Sequence, residues 1–402
     1  MYVVISSVFH PEPVVSAIMA GDLAAELAKE VEVKVVTPRP TRPEGFDFTG
    51  LMKADELYEH IVVKSFTYPA SRFIGRMIES IGFGIHVAKY VKRNHSRISC
   101  LYIFAWPLFG QFLIARKAKR YGIPSLVHVQ DIYPESLMNK LPILGGMANR
   151  LLLPIDKTVL KIADRIVAIS DNMSNHLQRT RQIRKDKIET VEIWHNEREF
   201  IEYAQVKAGK RAIHRENNLF TFMYLGNIGP VAGVEFLIEC FHKANLNKSQ
   251  LIIAGSGSQK QRCIETAQSL SNPNIRFLDV PNGKVPEIQD GADVMLLPVK
   301  KGAAMSSIPS KLAAYMFSSK PVIACVDHSS DTALAITCSK CGWVLPAEEQ
   351  DPLIRQMMEL ETSSTEDLPA LGKNGYNYAK AHFSREVNVQ KLVSIMKAIS
   401  RF

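Results

Sequence analysis

Two short glycine loops follow two predicted strands in the C-terminal half of the sequence. Gly226-Asn227-Ile228-Gly229 comes after the apolar run Phe220–Leu225, and Gly255-Ser256-Gly257 comes after residues 250–254. Glycine lets a backbone approach a phosphate closely, and a helix N-terminus behind such a loop favours an anion. A plain tight turn remains the alternative for each loop. Neither loop completes G-x-G-x-x-G, and no acidic residue follows the first at the dinucleotide spacing, which counts against a dehydrogenase.

A lysine near the start of a predicted helix indicates a second element that could bind an anion. A hydroxyl-rich turn precedes the helix Ser310–Phe317, and Lys311 lies in the first turn of that helix. The helix dipole favours basic residues at the opposite end, so Lys311 is poorly placed for helix stability and well placed for an anion. A solvated lysine is the alternative.

Carboxylates follow two predicted strands in the N-terminal half. Asp131 and Glu135 come after Ser125–Val129, and Glu12 comes after a first strand at residues 2–7. In open parallel sheets ligands bind outside the carboxyl ends of the strands, so these three side chains are candidates for a site. Loop capping is the alternative for Asp131 and Glu135, because Asp before a turn that contains Pro is common.

Strands and helices alternate along almost all of the 402 residues. This alternation predicts an α/β protein with mostly parallel sheets and helices on both faces. The pattern restarts at Phe220 after a polar stretch, and the length suits two domains better than one. We therefore predict two doubly wound, Rossmann-like domains at residues 1–200 and 201–380, followed by a C-terminal helix at 381–402.

Several motifs that occur in a fixed order give the sequence a family resemblance. They are Phe9-x-Pro11-Glu12, Asp131-Ile-Tyr-Pro134-Glu135-Ser136, the ADRIVAIS run at 163–170, Gly226-Asn227-Ile228-Gly229, Ala292-Asp293-Val294 and Pro309-Ser310-Lys311-Leu312-x-x-Tyr315-Met316. With these motifs the chain resembles glycosyltransferase family 4, whose members have the GT-B fold. The resemblance covers nearly the whole length, and it is to the branch that builds bacterial capsule, O-antigen and exopolysaccharide repeat units.

The resemblance implies a retaining glycosyltransferase whose two Rossmann-like domains face each other across a cleft. The donor would be a nucleotide-diphosphate sugar, UDP-linked and carrying a hexosamine or related hexose, held mainly by the C-terminal domain. The acceptor would be a lipid-linked or oligosaccharide precursor on the N-terminal side, with Asp131 and Glu135 as catalytic residues and Glu12 nearby. The donor-binding residues implied are Gly226, Asn227, Gly229, Gly255, Gly257, Ser307, Pro309, Ser310 and Lys311.

The sequence departs from the family pattern in two places. Many members carry two glutamates separated by seven residues around this helix, the second holding the ribose, but Ser306 and Ala314 stand there. The first glycine loop usually supplies Arg or Lys to the diphosphate, but here Pro230 follows Gly229. Charge neutralisation then falls on Lys311, with Lys300 or Lys301 as alternatives. A non-catalytic sugar-nucleotide-binding protein and a GT-B-like sugar-nucleotide epimerase remain alternatives, although an epimerase needs a carboxylate pair that we cannot identify.

The net charge of +9 is concentrated in one window of the chain. Between Lys64 and Gln130 eleven Lys and Arg residues occur with a single acid, Glu79. Residues 73–91 mix apolar, aromatic and basic residues, a pattern typical of an amphipathic helix at a membrane surface. We predict peripheral contact with an anionic membrane, with a helix packed on the sheet as the alternative, and no nucleic-acid partner because no motif for one is present. The basic residues assigned to this side are Arg72, Arg76, Lys92 and Arg93.

The sequence predicts no metal and no other cofactor. It contains no Asp-x-Asp and no His/Cys cluster with ligand spacing. The first residues lack the basic segment of a signal peptide, and six scattered cysteines suit a reducing compartment. The uncharged stretch 98–115 fits a strand, a turn and a helix better than a membrane span. These features predict a cytoplasmic protein that is peripheral to the inner face of the plasma membrane.

Overall fold

The computed structural model of the protein describes residues 1–12, 14–42, 48, 57–68, 73–104, 108–135, 145–207, 219–281, 283–302 and 308–401. The chain divides into two compact units. Unit 1 consists of Met1–Glu192 and the segment that begins at Asn388, whereas unit 2 consists of Ile193–Val387. The boundaries observed thus differ by a few residues from those predicted at 200 and 380, and the end of the chain belongs to unit 1.

Unit 1 contains a seven-stranded sheet. Its strands are β1 (Tyr2–Ile5), β2 (Val33–Thr37), β3 (Glu59–Val62), β4 (Cys100–Phe104), β5 (Ser125–Val129), β6 (Arg165–Ala168) and β7 (Ile188–Thr190). Their order is β3-β2-β1-β4-β5-β6-β7, and every neighbouring pair is parallel. The direction of the strand order reverses between β1 and β4, which is where doubly wound sheets bind their ligands.

Helices surround this sheet, as expected for a parallel sheet that is buried on both faces. They are α1 (Val15–Ala28), α2 (Phe73–Asn94), α3 (Leu108–Arg120), α4 (Gly145–Ile162) and α5 (Asp171–Arg181). Strands β1, β4 and β5 are buried along their whole length, which explains their continuous apolar sequences. Ser170 caps α5, because its hydroxyl oxygen accepts the Met173 N–H (3.1 Å).

Unit 2 repeats this architecture with six parallel strands. They are β8 (Phe220–Leu225), β9 (Ser249–Ala254), β10 (Ile275–Leu278), β11 (Val294–Pro298), β12 (Val322–Cys325) and β13 (Gly342–Leu345), in the order β10-β9-β8-β11-β12-β13. The helices are α6 (Arg198–Lys207), α7 (Val234–Ala244), α8 (Lys260–Ser269), α9 (Val285–Asp290), α10 (Ser310–Phe317), α11 (Asp331–Ser339), α12 (Gln350–Thr362) and α13 (Leu368–His382). Helix α14 (Arg385–Ile399) follows, and its residues from Asn388 belong to unit 1.

Side chains of the second sheet alternate between two apolar cores. Met223 and Leu225 of β8 belong to one core, and Phe222 and Tyr224 belong to the other. This period of two is that of a strand with both faces covered. Because β8, β9 and β11 are parallel, the loops that follow them lie at the same edge of the sheet.

The structure confirms the predicted fold class, since each unit is a doubly wound parallel sheet. The uncharged stretch 98–115 is divided between β4 and α3, as the sequence predicts. No helix in the described part of the chain is long and apolar enough to cross a membrane. Sequence analysis missed the short strands β3, β7 and β13, because they are edge strands whose residues are mostly not buried and so lack a continuous apolar sequence.

Candidate functional site

The two glycine loops of unit 2 pack against each other at the carboxyl ends of β8 and β9. The Ile228 N–H donates to the Ser256 carbonyl oxygen (2.8 Å), and the Gln259 N–H donates to the Ile228 carbonyl oxygen (3.0 Å). Gly255 and Gly257 have φ angles of 131° and 153°. A Cβ on Gly255 would lie 2.2 Å from the carbonyl oxygen of the first loop's first glycine, and one on Gly257 would lie 2.4 Å from that of Ile228. Glycine at both positions therefore joins the loops into one backbone surface.

Lys311 of α10 extends its side chain over this surface. A Cβ on Gly226 would lie 2.2 Å from Lys311 Cε, and the Lys311 ammonium is 5.5 Å from the centre of the Tyr224 ring. Burial lowers the pKa of Lys311. Within the described ranges no carboxylate lies at ion-pair distance from this ammonium. The ammonium has thus lost hydration without gaining a counter-ion, so an anion bound there would be stabilised.

Two tyrosines fix the loop and the helix relative to β8. The Tyr224 hydroxyl donates to the Asn227 carbonyl oxygen (2.6 Å). The fully buried Tyr315 of α10 donates to the Leu225 carbonyl oxygen (2.8 Å) and accepts the Leu225 N–H (3.1 Å). These bonds hold the start of α10, and with it Lys311, beside the glycine loops. They also give Tyr315, a residue of the strongest sequence motif, a structural role.

The remaining predicted donor residues lie in the same region or outside the described ranges. Asn227 is exposed at the tip of its loop, and Gly229 lines a cavity of about 370 Å³ that also borders Lys300. Pro309 precedes α10, and Ser310 is the exposed first residue of that helix. Ser307 lies outside the described residues. The donor-binding roles of these residues stay predictions.

Asp131 borders a second cavity, of about 340 Å³, in unit 1. The cavity lies at the carboxyl ends of β1 and β5, and Gln130, Ser16 and Arg76 also line it. The Ser16 hydroxyl donates to Gln130 Oε1 (2.7 Å), which links the start of α1 to the end of β5. Asp131 is exposed at this rim. The position agrees with the expected edge of the sheet, and the catalytic role of Asp131 stays a prediction.

Glu135 is held by a buried arginine. Arg181, at the end of α5 and 1% exposed, donates to both Glu135 carboxylate oxygens (2.5 and 2.7 Å) and to Asp156 of α4 (2.8 Å). It also donates to the Tyr133 carbonyl oxygen. The His176 ring lies 3.0 Å from Glu135. Arg181 therefore ties the segment after β5 to α4 and α5.

This environment shifts the pKa of both carboxyl groups. Burial by itself would raise the pKa of Glu135, but hydrogen bonds from Arg181 and His176 lower it to about 2. Burial raises the pKa of Asp156 to about 6, against the opposing effect of Arg181. An acid–base residue at neutral pH needs a pKa near 7 and an available oxygen. The geometry gives Glu135 a structural role, and its catalytic role stays a prediction.

Glu12 is also a structural carboxylate. It is 3% exposed and accepts the N–H groups of Phe9 (3.1 Å), Thr41 (2.9 Å) and Arg42 (2.9 Å). These bonds join the loop after β1 to the segment after β2. Glu12 therefore holds two loops of unit 1 together, and the acceptor-side role expected from the sequence stays a prediction.

The predicted basic surface separates into an inner and an outer part. Arg76 Nη1 lies 3.0 Å from a Glu79 carboxylate oxygen, and Arg42 Nη2 lies 2.9 Å from the same oxygen. Because Glu79 is buried, Arg76 belongs to the cavity of unit 1 and not to the outer surface. Lys92 and Arg93 are exposed at the end of α2. Arg72 lies outside the described residues.

Four exposed isoleucines follow one face of α2. Spacings of four, three and four residues place them on one side of a helix. The opposite side is buried through Phe83, Val87 and Val91. Continuing the same spacing reaches Lys89 and Lys92, which are also exposed. We call these four residues the isoleucine ridge, with exposed fractions of 67% for Ile74, 50% for Ile78, 36% for Ile81 and 41% for Ile85.

Sequence analysis missed Arg181 and Glu79 as organising residues. Arg181 lies in a stretch with several other basic residues, and nothing in that pattern marks it as the buried one. Its partners are 25 and 46 residues away in sequence. Among the described residues no group of three or more His, Cys, Asp or Glu side chains could hold a metal ion.

Family models match both units of this chain. The Glycosyltransferase Family 4 model matches residues 16–193, and the Glycosyl transferases group 1 model matches residues 207–378. The two matches together span most of the sequence. The chain consists of a Glycosyltransferase Family 4 domain followed by a Glycosyl transferases group 1 domain. It is therefore an enzyme of the glycosyltransferase class.

Individual relatives of this glycosyltransferase are distant. It is 20% identical over 345 residues to the probable glycosyltransferase WbjE of Pseudomonas aeruginosa, covering 82% of this chain and 81% of the relative. It is 28% identical over 206 residues to the putative colanic acid biosynthesis glycosyl transferase WcaI of Escherichia coli K12, covering 48% and 49%. The crystal structure of Anabaena HepE in complex with UDP superposes with a TM-score of 0.69 at 13% identity, over 99% of each chain. This likeness shows the GT-B fold.

Proposed function

We propose that this glycosyltransferase transfers a hexosamine or related hexose from a UDP-linked donor to a polysaccharide precursor, with retention of the anomeric configuration. The observation that carries the proposal is the state of Lys311, a half-buried cation beside two interlocked glycine loops. The glycines allow close approach of a diphosphate, and the ammonium offsets its charge. The UDP complex of HepE supports uridine as the base, and similarity to WcaI, a putative colanic acid biosynthesis glycosyl transferase, supports a polysaccharide product.

The proposed donor site supports departure of UDP without a metal. Negative charge develops on the β-phosphate as the bond from the sugar breaks, and a preorganised cation in a water-poor site stabilises that charge most. Lys311 and the N-terminal amides of α10 lie on the side of the glycine loops where this phosphate would sit. We therefore propose that no divalent ion and no other cofactor is required.

On the acceptor side, Asp131 is the proposed catalytic residue in unit 1. It is exposed at the carboxyl end of β5, where a hydroxyl group of the acceptor could donate to its carboxylate. Glu135 contributes by anchoring the same segment to Arg181. The proposed acceptor is lipid-linked, a precursor of capsule, O-antigen or a related polysaccharide.

We further propose that unit 1 docks peripherally on the cytoplasmic leaflet of the membrane. The isoleucine ridge supplies apolar side chains that can enter the interface, and Lys89, Lys92 and Arg93 supply charges complementary to anionic lipids. The isoleucine ridge, Lys89 and Lys92 lie on one helix face, which suits a flat surface with an apolar interior. Docking would bring the enzyme to an acceptor whose lipid stays in the bilayer.

A non-catalytic sugar-nucleotide-binding protein is the second candidate. It is favoured by Ala314, which is buried and has no polar group where many family members carry a glutamate. An epimerase is the third candidate. All three bind the same ligand, so binding alone does not separate them.

The test is incubation of the protein with UDP-N-acetylglucosamine, UDP-N-acetylgalactosamine, UDP-glucose and UDP-galactose, each followed by proton NMR. A retaining transferase releases UDP slowly by transfer to water, and the free sugar forms first as the α-anomer. Early formation of the β-anomer would show inversion. Interconversion of two UDP-sugars would identify an epimerase, and binding with neither reaction would identify the non-catalytic protein.

A further inference from the structure

The strand β13 forms one edge of the sheet in unit 2. In the described part of the chain it pairs with β12 alone, so its other side is open. The carbonyl oxygens of Cys341 and Leu345 accept N–H groups from the β12 side (3.1 and 3.0 Å). Backbone groups of successive strand residues point to opposite sides, so those of Gly342 and Val344 point away from β12.

These outward backbone groups are not satisfied within the protein. Neither the N–H nor the carbonyl oxygen of Gly342 or Val344 has an outer partner among the residues that the structure describes. Such an edge is a template for a further strand, and proteins commonly protect it with a charged side chain. The opposite edge strand, β10, carries the exposed Arg276, whereas Gly342–Leu345 contains no charged residue. β13 is therefore the less protected edge of this sheet.

A cavity of about 520 Å³ lies along the same strand. All four residues of β13 line it, together with Ile336 and Thr337 of α11 and Leu371 of α13. These helices flank the strand without covering it, since every residue of β13 is only half-buried. Space therefore exists beside β13 for a further extended segment.

The residues of β13 suit pairing with an identical strand. An antiparallel pair centred on Trp343 places Gly342 opposite Val344 of a second copy, and Val344 opposite its Gly342. Each of these pairs exchanges two hydrogen bonds, because both residues present outward groups. Trp343 then lies opposite its own equivalent in a non-hydrogen-bonded pair, where cross-strand side chains are closest and aromatic pairs are stabilising. A pair centred on Val344 would set Gly342 opposite Pro346, which has no N–H to donate.

Charges on the two sides of the strand are also complementary. Lys340 precedes β13, whereas Glu348 and Glu349 follow it, and all three are exposed. In an antiparallel pair the start of one strand lies beside the end of the other, so Lys340 comes near the glutamates of the second copy. A parallel pair would bring like charges together, which is unfavourable. The flanking charges therefore favour the antiparallel orientation.

We propose that β13 pairs antiparallel with the β13 of a second copy of this chain. The pairing joins two unit 2 sheets into one continuous sheet about a two-fold axis, and the same edge serves in both copies. Strands β12 and β11 separate this edge from β8, so the two glycine loops lie outside the paired strands. The proposal does not depend on the identity of the donor or of the acceptor.

Sedimentation equilibrium of the full chain tests the proposal. We expect the wild type to change from monomer to dimer between about 1 and 100 μM, the weak range that a small interface supports. Val344→Pro removes an outward N–H and leaves the side that faces β12 intact, as proline on an edge strand allows. Two hydrogen bonds are then lost per dimer, so we expect dimerisation to weaken at least tenfold. Phe277→Pro is the matched control, since it removes an outward N–H at the opposite edge of the same sheet.

Cross-linking tests the register. In a non-hydrogen-bonded pair the Cα atoms lie about 4.5 Å apart, a separation that a disulfide spans. Trp343→Cys, made together with Cys338→Ser to remove the exposed thiol, should therefore form a disulfide-linked dimer on oxidation with diamide. Val344→Cys in the same background should not, because its equivalents are diagonal neighbours about 7–8 Å apart.

Several outcomes would overturn the proposal. One is a wild type that remains monomeric at about 100 μM, which would leave this edge to an extended segment of a different protein. Another is equal weakening by Val344→Pro and Phe277→Pro, and a third is cross-linking through Val344→Cys but not through Trp343→Cys. Circular dichroism establishes that each variant is folded. Should Val344→Pro not fold, the two cysteine variants decide the matter.

Discussion

At the scale of single residues, Lys311 combines features that rarely occur together in a lysine. It lies in the first turn of a helix, where the dipole disfavours a cation, and burial lowers its pKa. Both effects raise the free energy of the unliganded protein. Both are relieved when a diphosphate binds, because the anion interacts favourably with the ammonium and with the free amides of the helix start. In the proposed function, this cost in the free enzyme is recovered as donor affinity.

We predict that Lys311→Gln weakens UDP binding by roughly 1.5–3 kcal/mol, the usual contribution of a hydrogen bond to a charged group. Uridine should bind wild type and variant equally, because it lacks the diphosphate. Calorimetric titration of both ligands measures this, with Lys373→Gln as the control, since Lys373 is exposed on α13. Equal losses for uridine and UDP would mean that Lys311 acts through the fold of unit 2.

The Glu135–Arg181 pair makes a pH-dependent contribution to stability. The pKa of Glu135 in the folded protein, about 2, is lower than that of an ordinary glutamate. A depressed folded pKa stabilises the protein above the unfolded pKa of about 4.3, and this stabilisation is lost as the pH falls from there towards 2. Solvent screening limits its size, because more than a third of the Glu135 side chain is exposed.

We predict that Glu135→Gln lowers the free energy of unfolding by about 1–2 kcal/mol at pH 7, and by less at pH 3. Urea denaturation of wild type and variant at both pH values measures the difference. Glu348→Gln is a control, because Glu348 is an exposed carboxylate of unit 2 whose recorded bond is to a backbone amide. A difference that is the same at both pH values would show that the ionised carboxylate is not what stabilises the fold.

The sequence could locate the candidate residues but not their roles. Glycine loops and Lys311 follow strands that are easily recognised, so their placement at one sheet edge was predictable. Glu12 and Glu135 occur after strands in the same way, yet both are engaged by partners 29 to 46 residues away. Such pairings depend on tertiary packing, which local spacing does not contain.

At the scale of secondary structure elements, α2 has to satisfy two environments. Its buried side packs against the rest of unit 1, and its exposed side carries the isoleucine ridge and basic residues. Periodicity alone predicted an amphipathic helix here, but it could not separate the two apolar sides, because valines, phenylalanines and isoleucines alternate along it. The burial of each residue makes the separation, and it also assigns Arg76 to the inner side.

We predict that Ile78→Ser together with Ile81→Ser reduces binding to vesicles of anionic phospholipid by tenfold or more. Each isoleucine that enters the interface contributes on the order of 1 kcal/mol through buried apolar area. Co-sedimentation measures binding, and Leu334→Ser on α11 of unit 2, which also removes an exposed apolar side chain, is the control.

The basic residues should contribute a separable effect. Changing Lys89, Lys92 and Arg93 to Gln should make vesicle binding weaker and less sensitive to salt, since each basic group contributes about 1 kcal/mol near an anionic surface. Vesicle binding that does not change with lipid charge, with salt, or with either the isoleucine or the basic-residue substitutions would contradict docking through α2.

At the scale of the whole molecule, both units have the same parallel architecture. The alternation of strands and helices, interrupted by a polar stretch before Phe220, predicted two such units. The two family models meet in the same part of the chain, since one ends at residue 193 and the other begins at residue 207. The sequence could not predict that the last helix returns to unit 1. Helix α14 has little apolar asymmetry, so its pattern did not indicate which sheet it covers.

We predict that UDP-sugar turnover survives an excess of EDTA. The charge on the leaving diphosphate is offset by Lys311 and by helix amides in this proposal, so removing divalent ions should change the rate less than twofold. Release of UDP is the measurement, before and after chelation and after addition of Mg²⁺ or Mn²⁺. A loss of turnover that either ion restores would require a metal-assisted departure of UDP.

The return of the chain to unit 1 also bears on how the protein is made. The final segment is fixed by Lys397, which is 2.5 Å from Glu30, and by Arg401, which donates to the Ile98 carbonyl oxygen (2.7 Å). A ribosome delivers these residues only after all of unit 2 has been synthesised. When synthesis of unit 2 ends at Val387, unit 1 still lacks the segment that begins at Asn388, whereas unit 2 has all of its residues. We therefore expect the contacts that complete unit 1 to form after those of unit 2.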